Sequence, residues 1–507
     1  MRRSSWLMLM AVTVSLWAGV RLWLMVGADA IAPDGTTYIR MARGFAHAPG
    51  EVIAGYDYAI GYPAVVSGVH SIWSSLTGDQ SVEGWDRIGQ AVSFVASLAV
   101  LAGLWSYCRR AFDDRVALAT LVLLCVGRKW AAIGADVLSD SLALAFAVWA
   151  IVLALAVQDR LCAGRRSGLW LAFLVGLLAG LGYLVRPEAI LAVVLALGLW
   201  VVMQVRRRQN VRLSLVAVGL AAVSAIACAL PYMIATGGLS KKKSLSDFIG
   251  QTIGNPPTVI MAGLGFPADA PFKLIGQFSE AIHPVSGFLL AFWLLLALVR
   301  PLRRRMLPTH LQSLQPDVAF LMALGAVIMV PALIGLYANV HYLSHRHLLL
   351  LGVLTSPLIG AGAVSVADWI SRLADLAAKP VRRDAVLAAF LAICAVPMAI
   401  HAVKPLHKSG EIFRQAGLFV RENTSPGDFV LTDNPYILHY SDRAGCRLPS
   451  GSFDALSSLA AGHGNVVLAM RDADIETARK RNRDLTFTQR YTGNGLVDVY
   501  AITMQHN

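Results

Sequence analysis

From Trp6 to Ala402 the chain alternates long apolar runs with short clusters of basic residues. The runs fall at roughly 6–26, 88–107, 116–134, 139–157, 168–185, 189–205, 212–235, 285–299, 317–338, 347–366 and 385–402. Most are long enough to carry a helix across the roughly 30 Å hydrocarbon core of a bilayer. Backbone polar groups in that core must be satisfied within the element itself, which selects helices, and the ten-residue alternating strands of a barrel are absent. The pattern predicts an all-α polytopic membrane domain over residues 1–402, with about eleven transmembrane helices. The first run exceeds a signal-peptide apolar region and no convincing cleavage site follows it, so it is expected to stay as the first helix.

The polar intervals give the orientation. Arg109 to Arg115, Gln158 to Ser167, Arg206 to Arg212, Arg300 to Pro316 and Ser371 to Asp384 are short, and each carries three or four basic residues. Such loops stay cytoplasmic, which puts the N-terminus inside and the C-terminal segment outside, in the periplasm or its equivalent, as expected of a multi-pass protein of the cytoplasmic (inner) membrane. Two outer loops, 27–87 and 236–284, are too long for mere connections. In the first, Pro33-Asp34 leads into Tyr38, Ile39, Met41, Ala42 and Phe45 at helical spacing, which predicts a helix lying in the membrane interface. Residues 403–507 change to the composition of a soluble domain. A helix over Glu411 to Arg421, a strand over Phe429 to Thr432, and further elements at Val466 to Ala469, Ile475 to Lys480 and Leu496 to Ile502 predict a small α/β domain there.

Composition changes this picture little. The 507 residues are 56% hydrophobic and 15% charged, too apolar for a soluble multidomain protein. The net charge of +13 would suit nucleic acid, but it sits in the short loops between apolar runs, so no nucleic-acid partner is expected. Six cysteines show neither CxxC nor metal spacing.

Chemistry is expected at the outer ends of the spans, where charge is tolerable if hydrated or paired. Asp34 reads equally as the N-cap of the interfacial helix. Asp136 and Asp140, four residues apart, would share a helix face if the fourth span began early, and would then repel unless a cation or metal bridged them. Arg186-Pro187-Glu188 interrupts an apolar stretch, its charges pairing with each other or with headgroups. In His341-Tyr342-Leu343-Ser344-His345-Arg346-His347, an arginine between histidines suits an anionic headgroup or anchors the chain at the interface. The histidines lack the i, i+4 pair of a metal site. Lys241, Lys242 and Lys243 lie outside against the charge rule, for a lipid-linked phosphate or for anionic lipid.

Together these landmarks look like the C-type glycosyltransferase superfamily (GT-C), polytopic enzymes that use polyprenyl-phosphate sugars, and resemble its protein O-mannosyltransferase and lipid A aminoarabinose transferase members. Pro33-Asp34 with Tyr38 and Ala42 resembles the acidic first-loop motif, and Gly61-Tyr62-Pro63 the aromatic-proline turn after it. Val137-Leu138-Ser139-Asp140-Ser141-Leu142 resembles the second-loop motif, and Gly180-Leu181-Gly182-Tyr183-Leu184-Val185-Arg186-Pro187-Glu188 the Gly-Leu, aromatic, Arg-Pro-Glu stretch. Tyr342 to His347 looks like the Ser-x-Arg-Tyr motif, and Tyr440-Ser441-Asp442-Arg443 like the outer domain's tyrosine-to-arginine stretch. The family's commonest first-loop form has two adjacent acidic residues. Here Gly35 follows Asp34, and Asp57 supplies a second carboxylate only if the loop folds back.

The resemblance implies transfer of a sugar from a polyprenyl-phosphate donor to an acceptor hydroxyl on a lipid, glycan or protein of the envelope, at the outer membrane face and with inversion. Asp34 is then the base, with Asp57, Asp136 and Asp140 as supporting acids. Arg346, His345, Arg186 and Lys241 to Lys243 are the phosphate ligands. No cofactor is called for with certainty, and a divalent cation stays open. The competing reading is a transporter or flippase of envelope lipids, which would need paired charges near the midplane, broken helices there and often inverted repeats. The charges instead sit at span ends, with Arg21 an exception close enough to an end to snorkel.

Overall fold

The apolar runs fold as helices in the computed structural model, which describes residues 3–207, 211–238, 267, 269–312, 314–376, 382–448, 456, 466–470, 472–482, 484–493 and 497–504. Among the described residues, nine helices are long and apolar enough to cross a membrane, or ten if one bent pair counts as a span. The chain is a multi-pass membrane protein. The helices are α1 (Arg3–Val26), α2 (Pro33–Phe45), α3 (Pro49–Gly55), α4 (Gly61–Thr77), α5 (Val82–Ala111), α6 (Asp114–Cys125), α7 (Arg128–Ile133), α8 (Asp140–Cys162), α9 (Ser167–Val185), α10 (Leu191–Arg207) and α11 (Val211–Thr236). After them come α12 (Ala270–Ile282), α13 (Pro284–Leu298), α14 (Arg300–Met306), α15 (Pro316–Val340), α16 (Leu349–Leu376) and α17 (Arg383–Ala402).

Two expected spans are broken. The run at 116–134 divides at Val126-Gly127 into α6 and α7, and the guanidinium of Arg128 donates to the carbonyls of His401, Ala402, Lys404 and Pro405. The run at 285–299 is the second limb of the bent pair α12–α13, which turns by 111° at His283-Pro284. Arg21 does not snorkel. It is fully buried, donates to the carbonyls of Trp17 and Trp130, and lies 3.7 Å from the centre of the Trp17 ring, so it ties α1 to the broken span.

The first long loop, 27–87, holds three helices where the pattern predicts one. The apolar stripe of α2, expected to lie in the membrane interface, is instead buried in the protein, with Tyr38, Ile39, Met41 and Ala42 clustered with Tyr62 and Val66 of α4 and Ile88 of α5. Gly61 starts α4 against the backbone of Leu184 and Val185, where a Cβ would come within 2.8 Å, so the loop is locked onto the turn that carries Arg186. Beyond α17 come α18 (Glu411–Asn423), α19 (Pro435–Tyr440), α20 (Asp472–Arg481) and a sheet of β1 (Phe429–Thr432), β2 (Gly445–Arg447), β3 (Val466–Met470), β4 (Leu485–Gly493) and β5 (Val497–Met504). Strand order is β2-β1-β3-β5-β4, parallel across the first three and antiparallel across the rest. This α/β unit is clasped to the first loop and its neighbours by Asp136–His407 at 2.5 Å, Asp86–His439 at 2.8 Å, Arg43–Asp442 at 2.7 Å and Arg421–Glu83 at 3.1 Å.

Candidate active site

Asp34 is the second residue of α2, after Pro33 at the first helical position, and the N-cap is Ala32 without a side-chain bond. Its carboxylate is therefore free of capping. It accepts from Arg346 Nη1 at 2.5 Å and from the Tyr58 hydroxyl at 3.4 Å. Arg346 stands on the 3-10 turn His345–Leu348, where Ser344 Oγ accepts from the Arg346 backbone N–H and His347 Nδ1 accepts from Ser344 N–H. These local bonds hold the arginine before any ligand arrives. Its other face donates to Asp140 Oδ2 through Nε at 2.9 Å and reaches the same oxygen through Nη2 at 2.6 Å.

Asp140 opens α8, where the unpaired N–H groups of the first turn favour a carboxylate. Its other oxygen takes Arg186 Nη1, and Arg186 Nη2 lies 3.4 Å from Glu188. So Asp140 bridges both arginines, and its side chain is only 2% exposed against 38% for Asp34. Of the two carboxylates on Arg346, one is sealed in and the other is within reach of a substrate. Burial, then the nearby Asp34, push the Tyr58 hydroxyl up to about 12, so it stays a neutral donor to Asp34 at physiological pH.

These groups line a cavity of about 550 Å³, together with Asp57, Glu188 and Tyr38. The rest of its wall is apolar, from α8, α10, α15 and α16, and includes Leu144, Val194, Met329, Leu333, Leu336 and Leu350. The charged lining comprises four carboxylates and two arginines. Gly35 explains the single acid of the first-loop motif: a Cβ there would stand 2.9 Å from the Val137 carbonyl oxygen, leaving no room for a second acidic side chain. Asp57, on the loop between α3 and α4, lines the same cavity as Asp34.

Other expected groups go elsewhere. Asp136 lies in the turn before α8 rather than on its face, binding His407 and the backbone N–H groups of Ala32 and Val137. It and Asp140 do not confront each other: Asp136 is bonded to the His407 ring, and Asp140 to two arginines. His345 turns away from Arg346, with Nδ1 3.9 Å from Glu280, which in turn holds Lys129 at 2.8 Å. Lys241, Lys242 and Lys243 lie outside the described residues. Among the described residues, no three His, Cys, Asp or Glu side chains are grouped to hold a metal ion. Tyr38, Tyr58 and Ser344 join the site unannounced by charge, although the aromatic pair Tyr56 and Tyr58 around Asp57 was a signal.

The crystal structure of ArnT from Cupriavidus metallidurans bound to undecaprenyl phosphate superposes with a TM-score of 0.62 at 12% identity, covering 99% of this chain and 98% of that one. The chain has the fold of the C-type glycosyltransferases. The oligosaccharyltransferase of Archaeoglobus fulgidus tethered to an acceptor peptide matches this fold at a TM-score of 0.61 and 13% identity, over 98% of this chain and 74% of that one. AglB of the same organism, in complex with an inhibitory peptide and a dolichol-phosphate, gives 0.54 and 13% over 96% and 74%. In sequence, the family described as dolichyl-phosphate-mannose-protein mannosyltransferase matches residues 81–234, the part of the glycosyltransferase fold that holds Asp140 and Arg186. No curated protein matches the chain in sequence.

Proposed function

We propose that the chain transfers a sugar from a polyprenyl-phosphate donor to an acceptor hydroxyl at the outer face of the cytoplasmic membrane. The observation that carries this reading is a cavity lined both by a bonded cluster of charged groups and by apolar side chains, which suits a lipid-linked anion. The isoprenoid chain lies along α15 and α16, and the phosphate meets Arg346 and Arg186. An incoming phosphate competes with Asp34 for Arg346, because the guanidinium fork is already filled by carboxylates. Binding of the donor thus releases the carboxylate that the reaction needs as its base. The acceptor oxygen attacks the anomeric carbon, its proton passes to Asp34, and the bond from that carbon to the phosphate oxygen breaks. The leaving group is the polyprenyl phosphate monoester, which departs without protonation and is stabilised by the arginines. Asp140 holds both arginines in place, and Asp57 and Glu188 face the sugar. Lys241 to Lys243 are proposed as further phosphate ligands.

The test is release of polyprenyl phosphate from a radiolabelled polyprenyl-phosphate sugar by the purified protein in the presence of membrane extract as acceptor. Release coupled to label in the acceptor supports the reading. A donor left intact with every envelope fraction would remove it.

A further inference from the structure

A second cavity, of about 560 Å³, lies near the turn that carries Arg346. Arg346 lines the first cavity, and the adjacent His345 comes within 3.9 Å of Glu280, which lines the second. The two differ in chemistry. The second has no apolar long wall: Arg128, Lys129, Ser279, Glu280, His283 and His401 face it, with only glycine, alanine and proline beside them. Its cations outnumber its single carboxylate.

The roles of these groups separate. Arg128 is spent on four backbone carbonyls and fixes the wall. Lys129 is bound to Glu280 at 2.8 Å and is one-third exposed, and an ammonium keeps further donors after one such bond. His283 accepts from Val285 N–H through Nδ1, which leaves the proton of its neutral ring on Nε2. It does so at the elbow of α12–α13 with φ 76°, a backbone that glycine would meet without strain, so what the position supplies is an imidazole.

We infer that this cavity binds a phosphate-bearing headgroup, with Lys129 and the Nε2–H of His283 as donors and Glu280 as the internal carboxylate that holds Lys129 until the anion arrives. Its position at the ends of membrane-spanning helices suits the phosphate of an anionic phospholipid, and a soluble phosphate would make the same contacts. Capture of Lys129 by the anion leaves Glu280 to His345, next to Arg346, which links occupancy of the second cavity to the first.

Retention of phosphatidylglycerol by the full chain in detergent, counted by native mass spectrometry with inorganic phosphate as competitor, tests this. Lys129→Gln is expected to weaken retention roughly tenfold, the loss of one charge-assisted hydrogen bond. Lys480→Gln, on an exposed face of α20, is expected to leave it unchanged. Glu280→Gln is expected to tighten it, a change of sign that misfolding would not produce. Lipid retention competed by phosphate supports the site with a lipid as its source, and phosphate binding without lipid retention supports it with a soluble one, provided that Lys129→Gln weakens either. Binding equal in wild type and Lys129→Gln, weakened by Glu280→Gln, or absent for both probes overturns it.

Discussion

Two groups of carboxylates, one paired with arginines and the other with histidines, serve different ends in this molecule. In one, Asp34 and Asp140 share Arg346, and Asp140 also takes Arg186. In the other, Asp136 meets His407, and Asp86 meets His439, along the seam with the C-terminal α/β unit. Both are assembled from residues hundreds of positions apart, and both contain nearly inaccessible carboxylates. What separates them is a surface: the first group lines a cavity that also has an apolar wall, and none of the four seam residues lines it. Burial and ion pairing are therefore poor markers of chemistry here, because a seam needs them as much as a site. The better marker is an asymmetric arginine, held on one side by a sealed carboxylate and on the other by an exposed one.

Substitutions on either side of this contrast sharpen or break it. The largest effect is expected at Asp34→Asn, a loss of roughly 10²- to 10⁴-fold in sugar transfer with thermal stability unchanged, since the group is half-exposed and caps nothing. Turnover and melting measured on the same preparation check both halves of that statement. Asp140→Asn comes next. It removes the buried charge between two arginines and is expected to lower stability by about 3 to 5 kcal/mol and transfer with it, so the melting curve should move where that of Asp34→Asn does not.

Arg346→Lys keeps the charge but cannot hold a carboxylate on one side and phosphate oxygens on the other. A ten- to a hundredfold loss of turnover, about 1 to 3 kcal/mol, is expected in a donor-saturation assay, and a merely interfacial arginine would show none. On the seam, Asp136→Asn is expected to cost about 1 kcal/mol of stability and leave turnover per folded molecule nearly intact. A collapse of turnover there would erase the distinction between the two groups. The smallest effect is expected at Tyr58→Phe, a several-fold loss constant from about pH 6 to 9, because the hydroxyl keeps its proton throughout that range. The raised hydroxyl also adds stability that is present below its unfolded value of about 10 and is lost as pH rises toward 12.

Much of this was legible in the sequence, for identifiable reasons. The apolar runs report helices because bilayer thickness dictates their length, and Asp34, Asp140, Arg186 and Arg346 stand out because charge at a span end needs a partner. The pairing of Arg186 with Glu188 was among the open readings, and the structure has it alongside the bond to Asp140. Direction was harder to read than position. Neighbours on a tight turn point to different sides, so Arg346 lines the cavity while His345 turns toward Glu280, although the sequence presents them as one cluster. Asp136 and Asp140 would share a face only inside a helix, and α8 begins at Asp140. The helix α4 was hidden because Gly61, Pro63 and Gly68 dilute its apolar stripe, and its exposed face (Ile72, Trp73, Leu76) acquires meaning only beside a membrane. The absence of a second acid after Asp34 was visible, but its cause, the carbonyl of Val137 against Gly35, is a tertiary contact with no sequence signature.

The most direct measurement places the lipid. A polyprenyl phosphate carrying a photoreactive diazirine near its phosphate end, activated with the purified protein and mapped by peptide mass spectrometry, is expected to label the cavity wall on α15 and α16 around Leu333, Leu336 and Leu350. Labelling there is expected to fall when unlabelled polyprenyl phosphate is added and in Arg346→Lys. Label confined to the outer, lipid-facing sides of the helices, unchanged by either treatment, would contradict the account.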